Sequence, residues 1–136
     1  EEDFVTMFAV EVDMDRKVLE YINAGHCPGL LMRADGSYTQ LGADFTLLGF
    51  FDLEFDAHVI ELDGPCKLLL FTDGFFEWEV EKGEIFGLER FMDLAIQCMP
   101  AQDHNLTRML IEIGASSSGE PDFRDDLTAL CLEIEP

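Results

Sequence analysis

The segment Leu68-Leu69-Leu70-Phe71-Thr72-Asp73-Gly74 joins a short apolar run to an acidic turn. Four consecutive apolar residues bounded by turn-forming residues are typical of a buried β-strand. A second acidic element, Arg124-Asp125-Asp126-Leu127-Thr128, leads into the last apolar run of the sequence. If both runs are strands of one sheet, Asp73 and Asp125 meet at its edge. Mg²⁺ and Mn²⁺ prefer oxygen ligands, so this pair is a candidate cation site.

The same residues also permit a simpler interpretation. Asp-Gly is a common turn dipeptide, so Asp73-Gly74 can be an ordinary turn, with Asp125 and Asp126 capping a bend. In the metal interpretation, Gly74 lets the backbone turn sharply with no side chain obstructing the ion. Spacing alone leaves both interpretations open.

Charge and composition exclude several classes of protein. The 136 residues include 29 acidic and 8 basic ones, and the net charge is −21. Nucleic acids and anionic membranes bind clustered Lys and Arg, so neither is an expected partner. The length and the apolar fraction of 48% predict one globular domain over residues 1–136.

The cysteines and the first residues indicate a reducing compartment. The four cysteines form no CxxC pair and are expected to be buried free thiols: Cys27, Cys66, Cys98 and Cys131. The start Glu1-Glu2-Asp3 has no basic region typical of a signal peptide, and no apolar run is long enough to span a membrane. We therefore expect a cytoplasmic protein.

Hydrophobic periodicity predicts strands followed by helices and then a final strand. Predicted strands cover residues 4–13, 17–23, 30–33, 38–41, 55–62, 66–72 and 127–133. The first is apolar on both faces, as in a strand packed between two layers. Helical spacing covers residues 88–95 and 106–113, and residues 75–86 are predicted as a loop or short helix over a site. This order predicts an α+β fold with helices packed on a mainly antiparallel sheet.

Two further groups of residues are candidates for function. Asn23-Ala24-Gly25-His26 ends a predicted strand, and His26 is either a general acid, a metal ligand or a structural histidine bonded to backbone. Trp78 with Phe75 and Phe76 forms either a docking surface or aromatic core. The sequence contains no GxSxG, P-loop, GxGxxG or HExxH motif, which argues against the corresponding hydrolases and nucleotide-binding proteins.

Taken in order, these segments resemble a known family. The ordered set comprises residues 23–31, 33–36, 71–74, 85–87 and 125–128, whose sequences are NAGHCPGLL, RADG, FTDG, IFG and DDLT. It resembles the bacterial metal-dependent serine/threonine phosphatases of the type 2C (PPM) superfamily. The most similar branch is typified by the sporulation stage II protein E and the sigma-B regulator phosphatases. The ordered set favours the metal interpretation of the aspartates over the ordinary turn.

The resemblance implies an α-β-β-α sandwich with a binuclear Mn²⁺ or Mg²⁺ centre between its two sheets. In such a centre the metals activate a water that attacks phosphorus in line. By motif, Asp73 and Asp125 match family metal ligands, and Asp126 stands where relatives carry Asn or Asp. The remaining motif residues are implied to be architecture near the site: Gly74, Asn23, Gly25 and His26. Implied substrates are phosphorylated anti-sigma-factor antagonist proteins, and the domain usually follows a sensor or receiver domain.

The sequence departs from the family pattern in two places. The family's other metal ligands come from an upstream Asp-x-x-Gly-His-Gly motif, which no segment of the 136 residues matches. We therefore expect the carboxy-terminal part of a phosphatase domain, with half a metal site and little or no hydrolysis by itself. The bulky run of residues 75–79, FFEWE, also differs from the smaller residues of relatives and bears on the substrate-facing loop.

Three functions are consistent with the sequence. The first is a metal-dependent phosphoprotein phosphatase module of a bacterial signalling regulator. The second is a catalytically degenerate phosphatase fold that binds a sigma-factor regulator without hydrolysis. The third is an acidic structural domain without metal.

Overall fold

The structure is a computed structural model that describes residues 5–43, 48, 55–99, 123 and 125–136. Its strands are β1 Met7–Asp13, β2 Val18–Ala24, β3 Gly29–Arg33, β4 Tyr38–Leu41, β5 His58–Glu61, β6 Cys66–Phe71, β7 Glu79–Glu81, β8 Glu84–Ile85 and β9 Ala129–Ile134. A 3₁₀ turn covers Asp73–Phe75 and helix α1 covers Leu88–Cys98. The predicted helix over 106–113 lies outside the described residues.

The strands form two main sheets and a small hairpin. One sheet has the order β1-β2-β5, the other has the order β4-β3-β6-β9, and β7 pairs with β8. Every pair of described strands is antiparallel, which confirms the predicted sheet type. The predicted Asp35-Gly36 turn joins β3 to β4, with Gly36 at a φ of +83° and Ser37 N–H donating to Asp35 Oδ1 at 2.8 Å.

Side chains along β6 point alternately to its two faces and so contribute to two hydrophobic layers. Leu68 and Leu70 face the three-stranded sheet, whereas Leu69 and Phe71 pack with α1. Because β6 is covered on both faces, its sequence is a continuous apolar run rather than an alternating one. The described residues therefore stack as sheet, sheet and helix, which matches three of the four layers of the predicted sandwich.

Helix α1 presents one apolar face to the four-stranded sheet. Its buried residues recur at helical spacing: Phe91, Met92, Ala95 and Cys98. Phe91 is completely buried, and its ring centroid lies 4.4 Å from that of Phe71. The apolar face explains why the sequence pattern located this helix correctly. No helix among the described residues is long and apolar enough to cross a membrane.

The aromatic residues after the 3₁₀ turn belong to the core. Trp78 is 1% exposed, stacks on Phe86 at 4.8 Å between centroids, and donates from Nε1 to the carbonyl oxygen of Phe75 at 2.9 Å. The core interpretation of these aromatics is therefore confirmed. Residues 75–86 are more regular than the expected loop or short helix, because they include the β7-β8 hairpin.

Two strand predictions need correction. β1 was expected to be buried on both faces, but none of its seven residues is fully buried, because among the described residues the core packs only against the face that carries Phe8, Val10 and Val12. The last strand begins at Ala129 rather than at 127, since Thr128 N–H donates to the side chain of Thr72 instead of to a neighbouring strand's backbone.

Candidate metal centre

The side chain of Thr72 joins the two acidic segments. Its hydroxyl donates to the carbonyl oxygen of Asp126 at 2.9 Å and accepts the N–H of Thr128 at 3.0 Å. The backbone N–H of Thr72 also donates to the carbonyl oxygen of Thr128 at 2.9 Å. β6 and β9 pair in register up to Phe71 and Ala129, so these bonds extend the pairing beyond the strand ends. The predicted meeting of the two segments at one sheet edge is present.

Gly74 allows the closest approach between these segments. A Cβ at this position would lie 2.6 Å from the carbonyl oxygen of Asp126 and 3.3 Å from that of Asp125. Contacts that short do not occur between a side chain and backbone, so only glycine fits here. Gly74 is not among the described glycines with positive φ, so its role is close backbone approach rather than the sharp turn that the sequence suggested.

The three candidate aspartates are all exposed at this edge. Asp73 begins the 3₁₀ turn, and its carbonyl oxygen accepts the N–H groups of Phe76 and Glu77, each at 2.9 Å. Asp125 Oδ1 accepts the N–H of Asp126 at 2.7 Å. Hydrogen bonds therefore hold the backbone of Asp73 and Asp126, and Asp125 is attached to Asp126 through its Oδ1, while all three residues remain exposed.

This donor set fits a hard divalent cation in its chemistry. Carboxylate oxygens on fixed backbone are suitable ligands for Mg²⁺ or Mn²⁺, which keep several waters and need few protein ligands. Within the described residues, however, no group of three or more His, Cys, Asp or Glu side chains is close enough to hold an ion. These residues therefore provide an acidic edge that fits part of a metal site.

The loop between β2 and β3 is organised by Asn23. Its completely buried side chain donates from Nδ2 to the carbonyl oxygens of Cys27 at 3.3 Å and Leu41 at 3.4 Å. Its Oδ1 accepts the N–H of His26 at 2.9 Å. Gly25, at a φ of +68°, supplies the left-handed residue that lets this loop turn back on Asn23. The predicted architectural role of Asn23 and Gly25 has this physical basis.

His26 bonds to backbone, as its structural interpretation predicts. Its Nδ1 lies 3.0 Å from the carbonyl oxygen of Cys27. A carbonyl oxygen only accepts, so Nδ1 is the donor in this bond. The ring also meets Phe8 edge-on, with centroids 6.3 Å apart. His26 belongs to the same hydrogen-bonded loop as Asn23.

The sequence did not single out Cys27 as a site residue. Its thiol donates to the carbonyl oxygen of Phe71 at 2.7 Å, and so connects the β2–β3 loop to the end of β6. Burial, with a smaller effect of the nearby carboxylates of Asp73 and Glu77, raises the pKa of Cys27 to about 12. The negative charges of these two carboxylates therefore act on the thiol. Glu77, four residues after Asp73, is a further acidic group beside the three candidate aspartates, and no sequence motif pointed to it.

A separate cavity lies at the opposite end of β6. It has a volume of about 180 Å³ and is lined in part by Arg33, Cys66, Lys67 and Glu133. Lys67 Nζ donates to the carbonyl oxygen of Met99 at 3.1 Å and lies 3.3 Å from Glu133 Oε1. Since Cys66 begins β6 and Asp73 follows its end, this cavity is not part of the acidic edge.

Comparison with protein families and curated proteins identifies relatives. Residues 1–135 match the family model described as stage II sporulation protein E. The phosphoserine phosphatase RsbP of Bacillus subtilis is 36% identical over 72 residues, which is 52% of this chain and 18% of RsbP. The phosphoserine phosphatase RsbU of the same organism is 34% identical over 85 residues, 59% of this chain and 24% of RsbU. The chain therefore spans a quarter or less of these relatives.

Solved structures share the fold over almost all of the chain. The SiaA-PP2C domain of Pseudomonas aeruginosa superposes with a TM-score of 0.77 at 24% identity, covering 96% of this chain and 53% of that domain. The RsbU and RsbW domains of Rv1364c from Mycobacterium tuberculosis give a TM-score of 0.74 at 26% identity, covering 96% and 37%. The catalytic domain of the phosphatase PstP, solved with two manganese ions, gives 0.61 at 13% identity, covering 97% and 60%. These likenesses establish the PP2C fold.

Proposed function

The chain belongs to the stage II sporulation protein E family, within the PPM phosphatase domains of its Rsb branch, and on that premise we propose that it forms part of a metal-dependent serine/threonine phosphoprotein phosphatase. In this proposal Asp73 and Asp125 are ligands of Mn²⁺ or Mg²⁺, and Asp126 is a further ligand. The phosphatase assignment is supported by the names of RsbP and RsbU. The assignment of the ligands rests on the family motifs, and the meeting of the two acidic segments supports it.

One observation carries the proposal. The hydroxyl of Thr72 bonds to both Asp126 and Thr128, which holds the backbone of the two acidic segments side by side. Residues separated by more than fifty positions thereby present carboxylates at one edge. A hard divalent cation needs oxygen ligands held together on fixed backbone, and this connection supplies that condition.

In this proposal the chain's own residues bind the divalent cations and determine their position. The carboxylates of Asp73 and Asp125 attract divalent cations, and the fixed backbone on either side limits where those cations lie. When bound, such ions activate water as a nucleophile and draw negative charge from the phosphoryl group. Without cations, a chain of net charge −21 repels a phosphate group, so we expect activity to depend strictly on divalent metal.

Further ligands are needed to complete a binuclear site. The chain covers 53% of the SiaA-PP2C domain, so that domain holds structure with no counterpart in these residues. We propose that the missing ligands come from an equivalent region, in the manner of the family's Asp-x-x-Gly-His-Gly motif. The 136 residues alone are therefore expected to hydrolyse little or no substrate.

The substrate and setting are also proposals. We propose a phosphorylated anti-sigma-factor antagonist as substrate, a sensor or receiver domain upstream in the same protein, and a cytoplasmic location. The phosphoserine phosphatase names of two relatives support the substrate class. The pairing of RsbU and RsbW domains in the Mycobacterium tuberculosis structure supports a role in a multidomain regulator.

The test uses the full-length protein that contains this chain. Hydrolysis of a phosphoserine protein is measured with Mn²⁺, with Mg²⁺ and with a chelator, for the wild type, Asp73→Asn and Asp125→Asn. We expect activity only with metal. Each variant should lose roughly 100-fold or more of the activity, because it lacks a residue that binds the metal directly. Asp63→Asn is the matched control, since Asp63 is exposed at the opposite end of β6 and should leave activity unchanged.

The main alternative is a degenerate phosphatase fold that binds a sigma-factor regulator without hydrolysis. The absence of a three-ligand cluster among the described residues is the observation that favours it. Tight binding of the phosphoprotein by a full-length protein that shows no turnover with either metal would establish this alternative. Equal turnover with and without chelator contradicts the metal-dependent proposal.

A further inference from the structure

The thiol of Cys27 donates a hydrogen bond to a backbone carbonyl that has no donor opposite it on the neighbouring strand. β3 and β6 pair in register from Arg33 and Cys66 to Leu30 and Leu69. Continued by two residues, that register places Pro28 opposite Phe71. Proline has no backbone N–H, so it cannot donate to the carbonyl oxygen of Phe71.

The direction of that carbonyl follows from the pairing on the other side. Thr72 N–H donates towards β9, to the carbonyl oxygen of Thr128. Successive residues of a strand alternate in the direction of their backbone polar groups, so the carbonyl of Phe71 points towards β3. The thiol of Cys27 reaches this oxygen at 2.7 Å and takes the place of the missing N–H.

The bond links the β2–β3 loop to the acidic edge. Cys27 belongs to the loop that Asn23 organises, and its carbonyl oxygen accepts from Asn23 Nδ2 at 3.3 Å. Its sulfur also lies 3.3 Å from His26 Nδ1. Phe71 ends β6, two residues before Asp73. The hydrogen-bonded β2–β3 loop is thereby attached directly to the strand end that carries the candidate ligand.

We propose that Cys27 is a positioning residue for metal binding, whose thiol fixes the carbonyl of Phe71 and thereby the backbone of Asp73. This inference rests on the proposed function, because it assigns Asp73 as a ligand. It also assigns a role to the segment of residues 23–26, because this segment holds the loop in which the Cys27 thiol replaces the missing backbone donor. Supporting residues of this kind commonly change metal affinity without touching the ion.

The experiment measures Mn²⁺ binding directly in the full-length protein. Electron paramagnetic resonance of free Mn²⁺ gives the dissociation constant without substrate, and a Mn²⁺ titration of phosphoserine hydrolysis gives the half-saturating concentration. We compare the wild type with Cys27→Ala, which removes the donor, and Cys27→Ser, which keeps an O–H donor. Cys131→Ala is the matched control, because Cys131 is another half-buried thiol and lies within β9.

We expect Cys27→Ala to raise the Mn²⁺ dissociation constant roughly 10-fold. Cys27→Ser should stay within about 3-fold of the wild type, because a hydroxyl restores the bond. Turnover at saturating Mn²⁺ should change much less than the Mn²⁺ requirement, whereas a general loss of folding lowers turnover at every concentration. Cys131→Ala should bind Mn²⁺ like the wild type.

Two results overturn the inference alone, with the proposed function intact. One is a Cys27→Ala protein that binds Mn²⁺ as tightly as the wild type. The other is a Cys27→Ser protein that binds as weakly as Cys27→Ala, since the thiol's donated bond then has no effect of its own. Failure of the wild type to bind Mn²⁺ or to hydrolyse the phosphoprotein is a different result, which removes the proposed function and this inference together.

Discussion

The hydroxyl of Thr72 lies 2.9 Å from the carbonyl oxygen of Asp126, across the end of the β6-β9 pair. The donor follows one strand and the acceptor precedes the other, and the same hydroxyl accepts the N–H of Thr128. One small side chain therefore supplements the backbone bond from Thr72 N–H to the Thr128 carbonyl oxygen where the two strands separate. Both candidate ligand segments depend on it for their relative position.

We predict that Thr72→Val weakens both folding and metal binding. Valine has nearly the same shape but no hydroxyl, so Asp126 and Thr128 lose their partner at a partly exposed position. We expect a loss of about 1 kcal/mol in the free energy of unfolding, measured by urea denaturation. The Mn²⁺ dissociation constant should rise roughly 10-fold. Thr72→Ser should behave like the wild type, and the exposed Thr6→Val should change neither quantity.

We predict that Gly74→Ala forces the acidic segments apart. The new Cβ would meet the Asp126 carbonyl oxygen at 2.6 Å, so the backbone of one segment has to move. The expected cost is about 1–3 kcal/mol in the free energy of unfolding, with weaker Mn²⁺ binding. Gly64→Ala is the matched control, because a Cβ there meets nothing within 4 Å. Equal behaviour of the two variants in thermal melting would show that the close approach is not maintained in solution.

The sequence predicted the acidic edge because its signals are local. The apolar run before Asp73 and the run after Asp126 each identify a strand, and neighbouring strands of one sheet bring their ends together. The hairpin at Asp35-Gly36 and the apolar face of α1 are equally local patterns. Each was located within a few residues of its observed bounds.

The details of the site depend on register, which local patterns do not specify. The bond from Cys27 to Phe71 joins residues 44 positions apart, and the need for it appears only when Pro28 is known to lie opposite Phe71. The close contact of Gly74 with Asp126 likewise follows from strand pairing rather than from the Asp-Gly dipeptide. The Cys27-Pro28 dipeptide is visible in the sequence, but its role becomes apparent only when its position opposite β6 is known.

We predict that Asn23→Ala destabilises the fold more than an exposed polar substitution does. The side chain is completely buried and satisfies two carbonyl oxygens and one N–H. Alanine leaves these groups without partners, which should cost about 1–3 kcal/mol in the free energy of unfolding. Gln40→Ala, at an exposed position of β4, is the control and should change stability little. An Asn23→Ala protein as stable as this control contradicts the role of Asn23 as organiser of the loop.

We predict that the stabilisation provided by the Cys27 thiol is lost at alkaline pH. Burial and the Asp73 carboxylate raise its pKa from 9.0 to about 12 in the folded protein. A folded-state pKa above the unfolded one means that the contribution is complete below pH 9.0 and falls as pH rises towards 12. The difference in urea midpoint between the wild type and Cys27→Ala, measured without metal, should therefore shrink from about pH 8 to about pH 11.

Thr6→Val introduces no titrating group, so its difference from the wild type should stay constant over the same range. A Cys27→Ala difference that also stays constant means that the thiol ionises equally in the folded and unfolded chains, and that burial and Asp73 do not hold its proton.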